Sequence, residues 1–240
     1  MATLLINYAD AGYYQAQKLN TQSGLLTGGL GRAIAFGRQH LDPGFVARNR
    51  AVLSRRNGAG MWLWKPYIVV QALRHAMAEG DVLFYADSGC HFVRAVQPLV
   101  DLCLRERAKP ILFFTLDPSL TNGKYCKRDC FVAMGLDRPP FPEMTQVLAS
   151  FFLCQRTDFT LHFFEEWLGY CEDPRLLTEA PNICGLPDYP DFVQHRCDQS
   201  ILSLLAAKYG IATIPDISQW GNGRRPAELP QFIQHTRWKE

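Results

Sequence analysis

A short apolar run that ends in a carboxylate constrains the fold of this chain more than any other feature. Val82–Ala86 is uninterrupted, rich in β-branched and aromatic residues and too short for a helix, so it predicts a buried strand of a parallel sheet. Asp87 and Ser88 follow it directly. Open α/β sheets bind ligands beyond the carboxyl ends of their strands, so Asp87 is a candidate ligand for a phosphate, a sugar or a metal. Asp also caps helices and begins turns well, and this run alone leaves both interpretations open.

Further apolar runs alternate with amphipathic stretches and predict the rest of an α/β fold. The predicted strands are residues 4–9, 82–86, 111–116, 150–155 and a last one that begins at 211–214. The predicted helices are residues 66–77 with an end at Gly80, 93–103 with an interruption at Pro98, 159–171, and one that begins near Asp198 and ends at Gly210. This alternation predicts one domain, residues 1–240, with a mostly parallel central sheet flanked by helices.

The overall charge excludes a general nucleic-acid-binding protein. Lys and Arg number 25 against 23 for Asp and Glu, so no extended basic surface is expected. The N-terminal run has no basic lead, and no stretch approaches the roughly 20 apolar residues that cross a bilayer. We therefore expect a cytoplasmic protein without a transmembrane segment, or one that associates peripherally with the inner face of the membrane.

Eight cysteines are scattered through core-like runs. Cys126 and Cys130 are four residues apart, but no second pair with the spacing of zinc ligands accompanies them. We interpret the cysteines as reduced core residues, with a metal site as the alternative.

Polar residues close the first predicted strand. Asn7, Tyr8 and Asp10 stand where an α/β sheet meets a nucleotide, although a surface turn explains them equally well. The stretch 20–31 is rich in Thr, Ser and Gly and predicts a mobile loop. The arginines within 48–56 predict a solvated helix face.

Two basic motifs lie in the middle of the chain. Trp62 and Trp64 could stack on a base or a sugar ring, and Lys65 could pair with a phosphate. The alternative is that the tryptophans pack in the core while the lysine reaches for solvent. Lys127 and Arg128 predict a site for a diphosphate or an acidic acceptor, with a solvated charged turn as the alternative.

A further polar cluster stands at the entry to the last predicted helix. A role as helix N-cap accounts for Asp198, but it does not account for Gln199 or for the His195-Arg196 pair. The C-terminal tail is rich in glycine and basic residues and could fold over an anionic ligand. Its candidate residues are Trp220, Gly221, Asn222, Gly223, Arg224, Arg225, His235, Thr236 and Arg237.

Five motifs, in their order and spacing, resemble those of a family of GT-A-type glycosyltransferases from the biosynthesis of capsule and cell-surface polysaccharides. They are GMWLWKP at 60–66, YADSGC at 85–90, KRD at 127–129, EWL at 166–168 and HRCDQS at 195–200. The resemblance runs from about residue 55 to 210. It implies a single Rossmann-like, GT-A-like domain in which residues 1–120 bind the nucleotide-sugar and residues 121–240 bind the acceptor.

The resemblance also implies an activity, the transfer of a hexose-type sugar from a nucleotide-sugar donor, a UDP-sugar, to a hydroxyl of a saccharide or glycoconjugate acceptor. Such a reaction needs a neutralised diphosphate and a well-placed acceptor hydroxyl. The implied catalytic residues are Asp198 and Gln199, which would grip the donor sugar or acceptor hydroxyls. The implied donor-binding residues are Asn7, Tyr8, Asp10, Trp64, Lys65, Asp87 and Ser88, and those for the acceptor or the diphosphate are Lys127, Arg128, His195 and Arg196.

The family usually holds a divalent cation, Mn²⁺ or Mg²⁺, with an Asp-x-Asp motif. Here Gly89 replaces the second Asp, so Asp87 is the one carboxylate of the motif, and His235 is the candidate that completes the metal site. The same departure permits a non-catalytic sugar- or nucleotide-binding module. The basic clusters permit a nucleotidyltransferase-like α/β enzyme that binds a triphosphate.

Overall fold

The computed structural model describes residues 1–10, 12–218 and 230–236. Its strands are β1 (Thr3–Tyr8), β2 (Arg32–Phe36), β3 (Val82–Ala86), β4 (Cys90–Phe92), β5 (Ile111–Thr115), β6 (Phe151–Gln155), β7 (Thr213–Pro215) and β8 (Ile233–His235). Its helices are α1 (Tyr14–Leu26), α2 (Pro43–Arg48), α3 (Arg50–Leu53), α4 (Gly58–Met61), α5 (Trp64–His75), α6 (Gln97–Arg105), α7 (Asn122–Tyr125), α8 (Arg128–Ala133), α9 (Asp158–Cys171), α10 (Pro174–Leu177) and α11 (Cys197–Tyr209), with a 3-10 turn at Arg38–His40.

Six strands form one sheet in the order β2-β1-β3-β6-β5-β7. β1 pairs in parallel with β2 and β3, and β5 pairs in parallel with β7. β6 runs antiparallel to both of its neighbours, β3 and β5. Five strands therefore point in one direction and one points against them, which confirms the predicted α/β fold with a mostly parallel sheet.

Both faces of the sheet are covered, and β3 shows this most clearly. Leu83 and Tyr85 point into a core that includes residues of α5, α9 and α11. Val82 and Phe84 point into a second core, which includes residues of α6, β4 and β8. A strand that is buried on both faces has no polar side to display, so its sequence is continuously apolar rather than alternating.

The stretch 20–31, predicted as a mobile loop, lies largely in helix α1, and the prediction is wrong. Its small polar residues form the inner face of this helix, where Asn20 is fully buried and Ser23 nearly so. Gly24 lies so near the sheet that a Cβ there would come within 2.4 Å of Leu5 Cδ2. Close packing of small residues, rather than a stripe of large apolar side chains, holds α1 in place.

Two predicted helix boundaries also differ from the structure. Helix α5 ends at His75, and Gly80 instead turns the chain into β3 with φ at +86° and its N–H bonded to the Arg156 carbonyl at 2.9 Å. Pro98 lies in the first turn of α6 and does not interrupt it, because a first-turn residue needs no N–H donor. Gly210 ends α11 in the left-handed conformation, as predicted.

A second sheet of two strands brings the described part of the C-terminal segment to the end of β3. β4 and β8 pair antiparallel, with Cys90 opposite His235. The Thr236 N–H donates to the carbonyl of Gly89 at 2.8 Å. The other candidate residues of the tail, 220–225 and Arg237, lie outside the described residues.

Candidate active site

Two neighbouring cavities open beyond the carboxyl ends of β1 and β3. Their volumes are about 720 Å³ and 440 Å³. Both are lined by Asn57, Trp62, Asp87 and Ser150, so Asp87 lies at their junction. The first cavity is completed by Tyr8, Ala9, Asp10, Gly12, Tyr13, Arg56, Gly58, Ala59, Trp64, Ser88, Gly89, Cys90 and His235. The second is completed by Lys65, Leu116, Leu148, Ala149, Glu179, Gln194, His195, Arg196, Cys197, Asp198 and Gln199.

A buried lysine joins two of the predicted aspartates at this junction. Lys65 lies in the first turn of α5, and its side chain is 3% exposed. Its Nζ is 3.3 Å from Asp87 Oδ1 and 3.1 Å from Asp198 Oδ2. The ammonium also donates to the Ala149 carbonyl at 3.1 Å, and the Tyr85 hydroxyl donates to Asp87 Oδ1. Because a buried charge needs such partners, this cluster ties α5, the end of β3 and the start of α11 together.

Burial and these ion pairs set the protonation of the cluster. Burial opposes the charge of Lys65, but the carboxylates of Asp198 and Asp87 outweigh it and raise the lysine pKa above its usual value. Burial raises the pKa of Asp198 to about 6, against the opposing pull of Lys65. Burial and the nearby Asp87 raise the Tyr85 pKa well above 10. The single ammonium faces two carboxyl groups, so it can balance only one negative charge.

The chain enters α5 through a left-handed turn. Gly58, Ala59, Gly60, Met61 and Trp62 all have positive φ, between 50° and 105°. A Cβ at position 60 would lie 2.8 Å from a backbone Cα, so this position requires glycine. Non-glycine residues in this conformation are strained, and such strain concentrates at binding sites. The turn carries its last residue, a tryptophan, to the wall shared by both cavities.

An aromatic pair forms one wall of the first cavity, where the prediction placed donor-binding residues. Trp64 stacks on Tyr8 with ring centroids 3.9 Å apart and an angle of 15° between the planes. The indole N–H of Trp64 donates to the Gly58 carbonyl at 2.9 Å. Burial and the neighbouring Asp10 raise the pKa of Tyr8 to about 12, so its hydroxyl is a neutral hydrogen-bonding group at neutral pH. Both rings are buried, with Tyr8 5% and Trp64 6% exposed, so only a small part of the pair is available to a ligand.

Two other residues that were predicted to bind the nucleotide-sugar donor stabilise the turn that follows β3. The Ser88 hydroxyl lines the first cavity and donates to the Tyr8 carbonyl at 2.6 Å. Asn7 is fully buried and lines neither cavity; its amide donates to Asn20 Oδ1 at 2.7 Å. Asn20 in turn donates to the carbonyl of Asp87 at 3.1 Å. The structure therefore places Asn7 behind the turn, where it supports the position of Asp87.

The start of α11 carries the predicted catalytic pair to the second cavity. Arg196 occupies the N-cap position, so Asp198 lies inside the first turn, and its interpretation as an N-cap is wrong. Cys197, between them, has φ at 49°. Gln199 Oε1 accepts the N–H of Ala149 at 3.3 Å, which holds the amide against the edge of the cavity.

His195 also lines the second cavity, with a side chain that is almost completely buried. Burial and the charge of Lys127 lower its pKa to about 4, so the imidazole is neutral at physiological pH. Its Nδ1 accepts the backbone N–H of Lys127 at 3.3 Å.

Lys127 and Arg128, predicted to bind the diphosphate or the acceptor, line neither cavity. Lys127 Nζ lies 3.1 Å from Asp129 Oδ2 and donates to two backbone carbonyls, at 2.9 and 2.6 Å. Arg128 pairs with Asp137. The structure uses both cations to hold loops together, and it does not bring them to Asp87.

Several residues that the sequence analysis assigns to no site also line the cavities, among them Arg56, Asn57 and Glu179. Arg56 and Asn57 line the first cavity and come directly before the left-handed turn. The neighbouring Gly-Ala-Gly is the one feature of the sequence that could have indicated their place in the site. Glu179 lies in the loop after α10 and lines the second cavity. Nothing in the local sequence around Glu179 marks it, because chain segments distant in sequence form this wall.

Within the described residues no three His, Cys, Asp or Glu side chains converge in the first cavity, but residue types that can bind a divalent cation line this cavity. Asp87 and His235 both line it, and Cys90 Sγ lies 3.3 Å from His235 Nδ1. Among the described lining residues, the carboxyl groups of Asp10 and Asp87 face one guanidinium, that of Arg56. A diphosphate in this cavity would therefore need additional positive charge. A carboxylate oxygen and an imidazole nitrogen are acceptable ligands for manganese, whose remaining positions phosphate oxygens and water can fill.

Comparison with known proteins identifies the fold. No protein-family model matches the sequence, and no curated protein matches it. The structure is similar to that of mouse xyloside xylosyltransferase 1 in its apo form, with a TM-score of 0.52 over 98% of this chain and 96% of that chain. The chain shares the fold of that xylosyltransferase. The two sequences are 10% identical, so the likeness confirms the predicted fold class and leaves the activity to the argument from the site.

Proposed function

We propose that the protein is a glycosyltransferase that moves a hexose-type sugar from a UDP-sugar to a hydroxyl of a saccharide acceptor. The observation that carries this proposal is the cluster of Lys65, Asp87 and Asp198 at the junction of two cavities. Sugar transfer requires donor and acceptor side by side, because the acceptor oxygen must meet the anomeric carbon. Two adjoining cavities with a shared charged wall meet that requirement.

The first cavity is the proposed donor site. Its volume of about 720 Å³ suits a nucleotide-sugar, since small-molecule sites commonly span about 300–1,000 Å³. The stacked Tyr8 and Trp64 would contact the base, and Asp10 would accept a hydrogen bond from the ribose or the base. Asp87, at the inner end, would face the diphosphate and the sugar.

The second cavity is the proposed acceptor site. The Gln199 amide accepts the Ala149 N–H and donates to Gln146 Oε1, and each of its two polar atoms has capacity for one further hydrogen bond to a sugar hydroxyl. Arg196 and Glu179 add one cation and one carboxylate to the same wall. This arrangement of mixed polar groups suits the hydroxyls of a saccharide better than it suits an apolar ligand.

The charged cluster has a separate role for each member in this proposal. Transfer breaks the bond between the anomeric carbon and the diphosphate oxygen, which keeps the electron pair, forms a bond to the acceptor oxygen and passes the hydroxyl proton to the departing diphosphate or to water. Asp87, with a side chain 31% exposed, touches the substrate. Asp198, with a side chain 5% exposed, acts through Lys65 by holding the ammonium against Asp87. Fixed charges of this kind lower a barrier because they need no rearrangement during the reaction.

A divalent cation, Mn²⁺ or Mg²⁺, is part of the proposal. Asp87 and His235 would hold it, and the bound ion would neutralise the leaving diphosphate. The test is His235→Ala assayed across a manganese titration, with His162→Ala, an exposed histidine of α9, as the matched control. If His235 is a metal ligand, His235→Ala should need more manganese for half-maximal activity than the wild type, and His162→Ala should not. An unchanged curve, or wild-type activity that resists EDTA, would remove the metal from the proposal.

The cellular setting is proposed from the resemblance to polysaccharide biosynthesis. Donor nucleotide-sugars and saccharide acceptors are the proposed partners, at the cytoplasmic face of a membrane. Within the described part of the chain, no helix combines the length and the apolar character needed to cross a bilayer.

A thermal-shift screen of nucleoside diphosphates, triphosphates and nucleotide-sugars, with and without manganese, tests the proposal. A ligand that binds only the folded state must raise the melting temperature. The proposal expects the largest shift with a UDP-sugar, followed by its hydrolysis or transfer in a mass-spectrometric assay. A shift without turnover would support a non-catalytic binding module. A shift only with triphosphates would support a nucleotidyltransferase.

A further inference from the structure

A second cluster of side chains, of types that can bind a metal ion, lies apart from the Asp87 cluster. Cys126 follows α7, Cys130 lies in α8, and His195 stands just before α11. One ligand-type atom from each of the three lies within 4.8 Å of those of the other two. All three side chains are buried. Across residues 1–10, 12–218 and 230–236, no other three His, Cys, Asp or Glu side chains converge in this way.

We propose that Cys126, Cys130 and His195 bind a zinc ion that fastens the turn between α7 and α8 to the start of α11. Two thiolates and one imidazole are ligands that zinc prefers. Binding replaces both thiol protons, so two thiolates and Zn²⁺ form a neutral unit that can be buried at low cost. Water supplies the fourth ligand.

The present geometry needs only a small contraction. Zinc–sulfur and zinc–nitrogen bonds of about 2.3 and 2.0 Å place tetrahedral ligand atoms roughly 3.5–3.8 Å apart. The three ligand atoms lie within 4.8 Å of one another, so the longest of their separations has to decrease by at most about 1 Å. Side-chain rotations of the two cysteines can supply a movement of this size.

The contacts that zinc would replace are weak. Cys126 Sγ points to the Lys127 carbonyl at 3.6 Å, and Cys130 Sγ to the Leu176 carbonyl at 3.3 Å. The Lys127 N–H reaches His195 Nδ1 at 3.3 Å, so this nitrogen presents its lone pair rather than a proton. Thiol hydrogen bonds and a long N–H contact contribute little compared with metal–thiolate bonds.

The other buried cysteines provide an internal contrast. Cys90, Cys103, Cys154, Cys171 and Cys197 are buried as well, and none belongs to a metal-capable group of three within the described residues. Burial alone is thus the ordinary condition of a cysteine in this protein. What distinguishes the proposed site is the convergence of two thiols and an imidazole from three chain segments.

The position of the site gives it a consequence. His195 lines the second cavity and stands three residues before Asp198. An ion that fixes His195 would fix the entry to α11 and would raise the melting temperature. The inference does not depend on sugar transfer, so either proposal can fail without the other.

The experiment measures metal content and cobalt spectra of the full chain. The wild type, Cys126→Ser, Cys130→Ser and the control Cys184→Ser, a half-buried thiol outside the cluster, are purified from zinc-supplemented cultures. The wild type and the control should each retain about one zinc per chain, and the two cluster variants much less. Replacement by Co²⁺ should give thiolate-to-cobalt absorption in the wild type, which oxygen and nitrogen ligands alone cannot produce.

Two further results keep the test decisive. His235→Ala should leave the thiolate absorption unchanged, since that histidine belongs to the first cavity. If the cysteine variants fail to fold, the zinc content of the wild type and the comparison of its spectrum with that of His235→Ala still decide the question, because Cys90 is the thiol next to His235. Substoichiometric zinc in the wild type together with no thiolate-to-cobalt absorption would overturn the proposal.

Discussion

Lys65 and Lys127 are both buried lysines paired with aspartates, and only one of them faces a cavity. Each side chain is 3% exposed. Lys127 is enclosed by Asp129 and two backbone carbonyls, while Asp129 accepts backbone N–H groups of the loop after α10. Lys65 pairs with Asp198 and with Asp87, which is partly exposed and lines both cavities.

Ion pairs between a buried lysine and an aspartate serve two purposes in this protein. A pair whose hydrogen-bonding capacity is filled by the backbone can only hold the fold. A pair with one partly exposed carboxylate at the end of a strand can also contact a ligand. We therefore refer to the Lys127–Asp129 pair as closed and to the Lys65–Asp87–Asp198 cluster as open.

The aspartates of the two groups should respond to substitution in opposite ways. Asp87→Asn should lower turnover at least about 100-fold, the loss typical of removing a key charged group from an active site, while circular dichroism and melting stay near those of the wild type. Asp129→Asn should destabilise the fold and leave the turnover of the folded fraction unchanged. Activity of Asp87→Asn within about twofold of the wild type would remove Asp87 from the site.

The lysines should separate stability from activity. Lys127→Met leaves Asp129 without its cation and should lower the free energy of unfolding by about 3–5 kcal/mol. Lys65→Met should cost less stability, since Asp87 reaches solvent and Asp198 can take up a proton, but it should reduce turnover strongly. Denaturant unfolding and steady-state assays check both effects. Equal losses of stability and no selective loss of turnover would erase the distinction between open and closed groups.

Asp198→Asn tests the positioning role of the buried carboxyl. Near pH 7, above the pKa of about 6 through which the wild type loses the stabilising contribution of the protonated Asp198, the melting temperature should change little because the two side chains have nearly the same size. Turnover should fall by about one to two orders of magnitude, because Lys65 loses one of its two charged partners. Wild-type activity in this variant would show that Asp198 has only a structural role.

The pH dependence of melting should have opposite signs for the two groups. The pKa of Asp198 is raised to about 6, so its stabilising contribution is present below its unfolded value of 3.8 and is lost as pH rises through 6. Relative to Asp198→Asn, the wild type should lose up to about 3 kcal/mol over this range. Burial raises the pKa of Asp129, but Lys127 and backbone N–H groups outweigh burial and lower this pKa below its usual value. The stabilising contribution of Asp129 is therefore lost as pH falls. Parallel curves for wild type and variants would contradict these assignments.

The sequence predicts the sheet better than it predicts the packing around it. The strand at Val82–Ala86 is continuously apolar because both faces are buried, and this property is visible in the residues themselves. Helix α1 is missed because its buried face consists of small polar residues, whose partners come from distant parts of the chain. Local composition therefore suggests a loop where tertiary contacts make a helix.

The sequence indicates some of the residues that line the candidate cavities, but it does not indicate the contacts between them. Asp87 and Asp198 each stand at the end or start of a predicted element, so their positions follow from the fold. That Lys65 joins them depends on how α5 and α11 pack, which no local pattern records. The sequence predicts a phosphate contact for Lys127 as it does for Lys65. Only the surrounding backbone carbonyls show that Lys127 is enclosed.

The most direct test of the open cluster is calorimetric titration of UDP, with manganese present, into the wild type, Asp87→Asn and Asp129→Asn. We expect saturable binding to the wild type and to the folded Asp129→Asn with similar affinity. Binding to Asp87→Asn should be at least about tenfold weaker, a difference of about 1.4 kcal/mol. Equal affinity in all three proteins, or no binding of UDP to the wild type, would contradict the claim that the cavity at Asp87 is a nucleotide-sugar site.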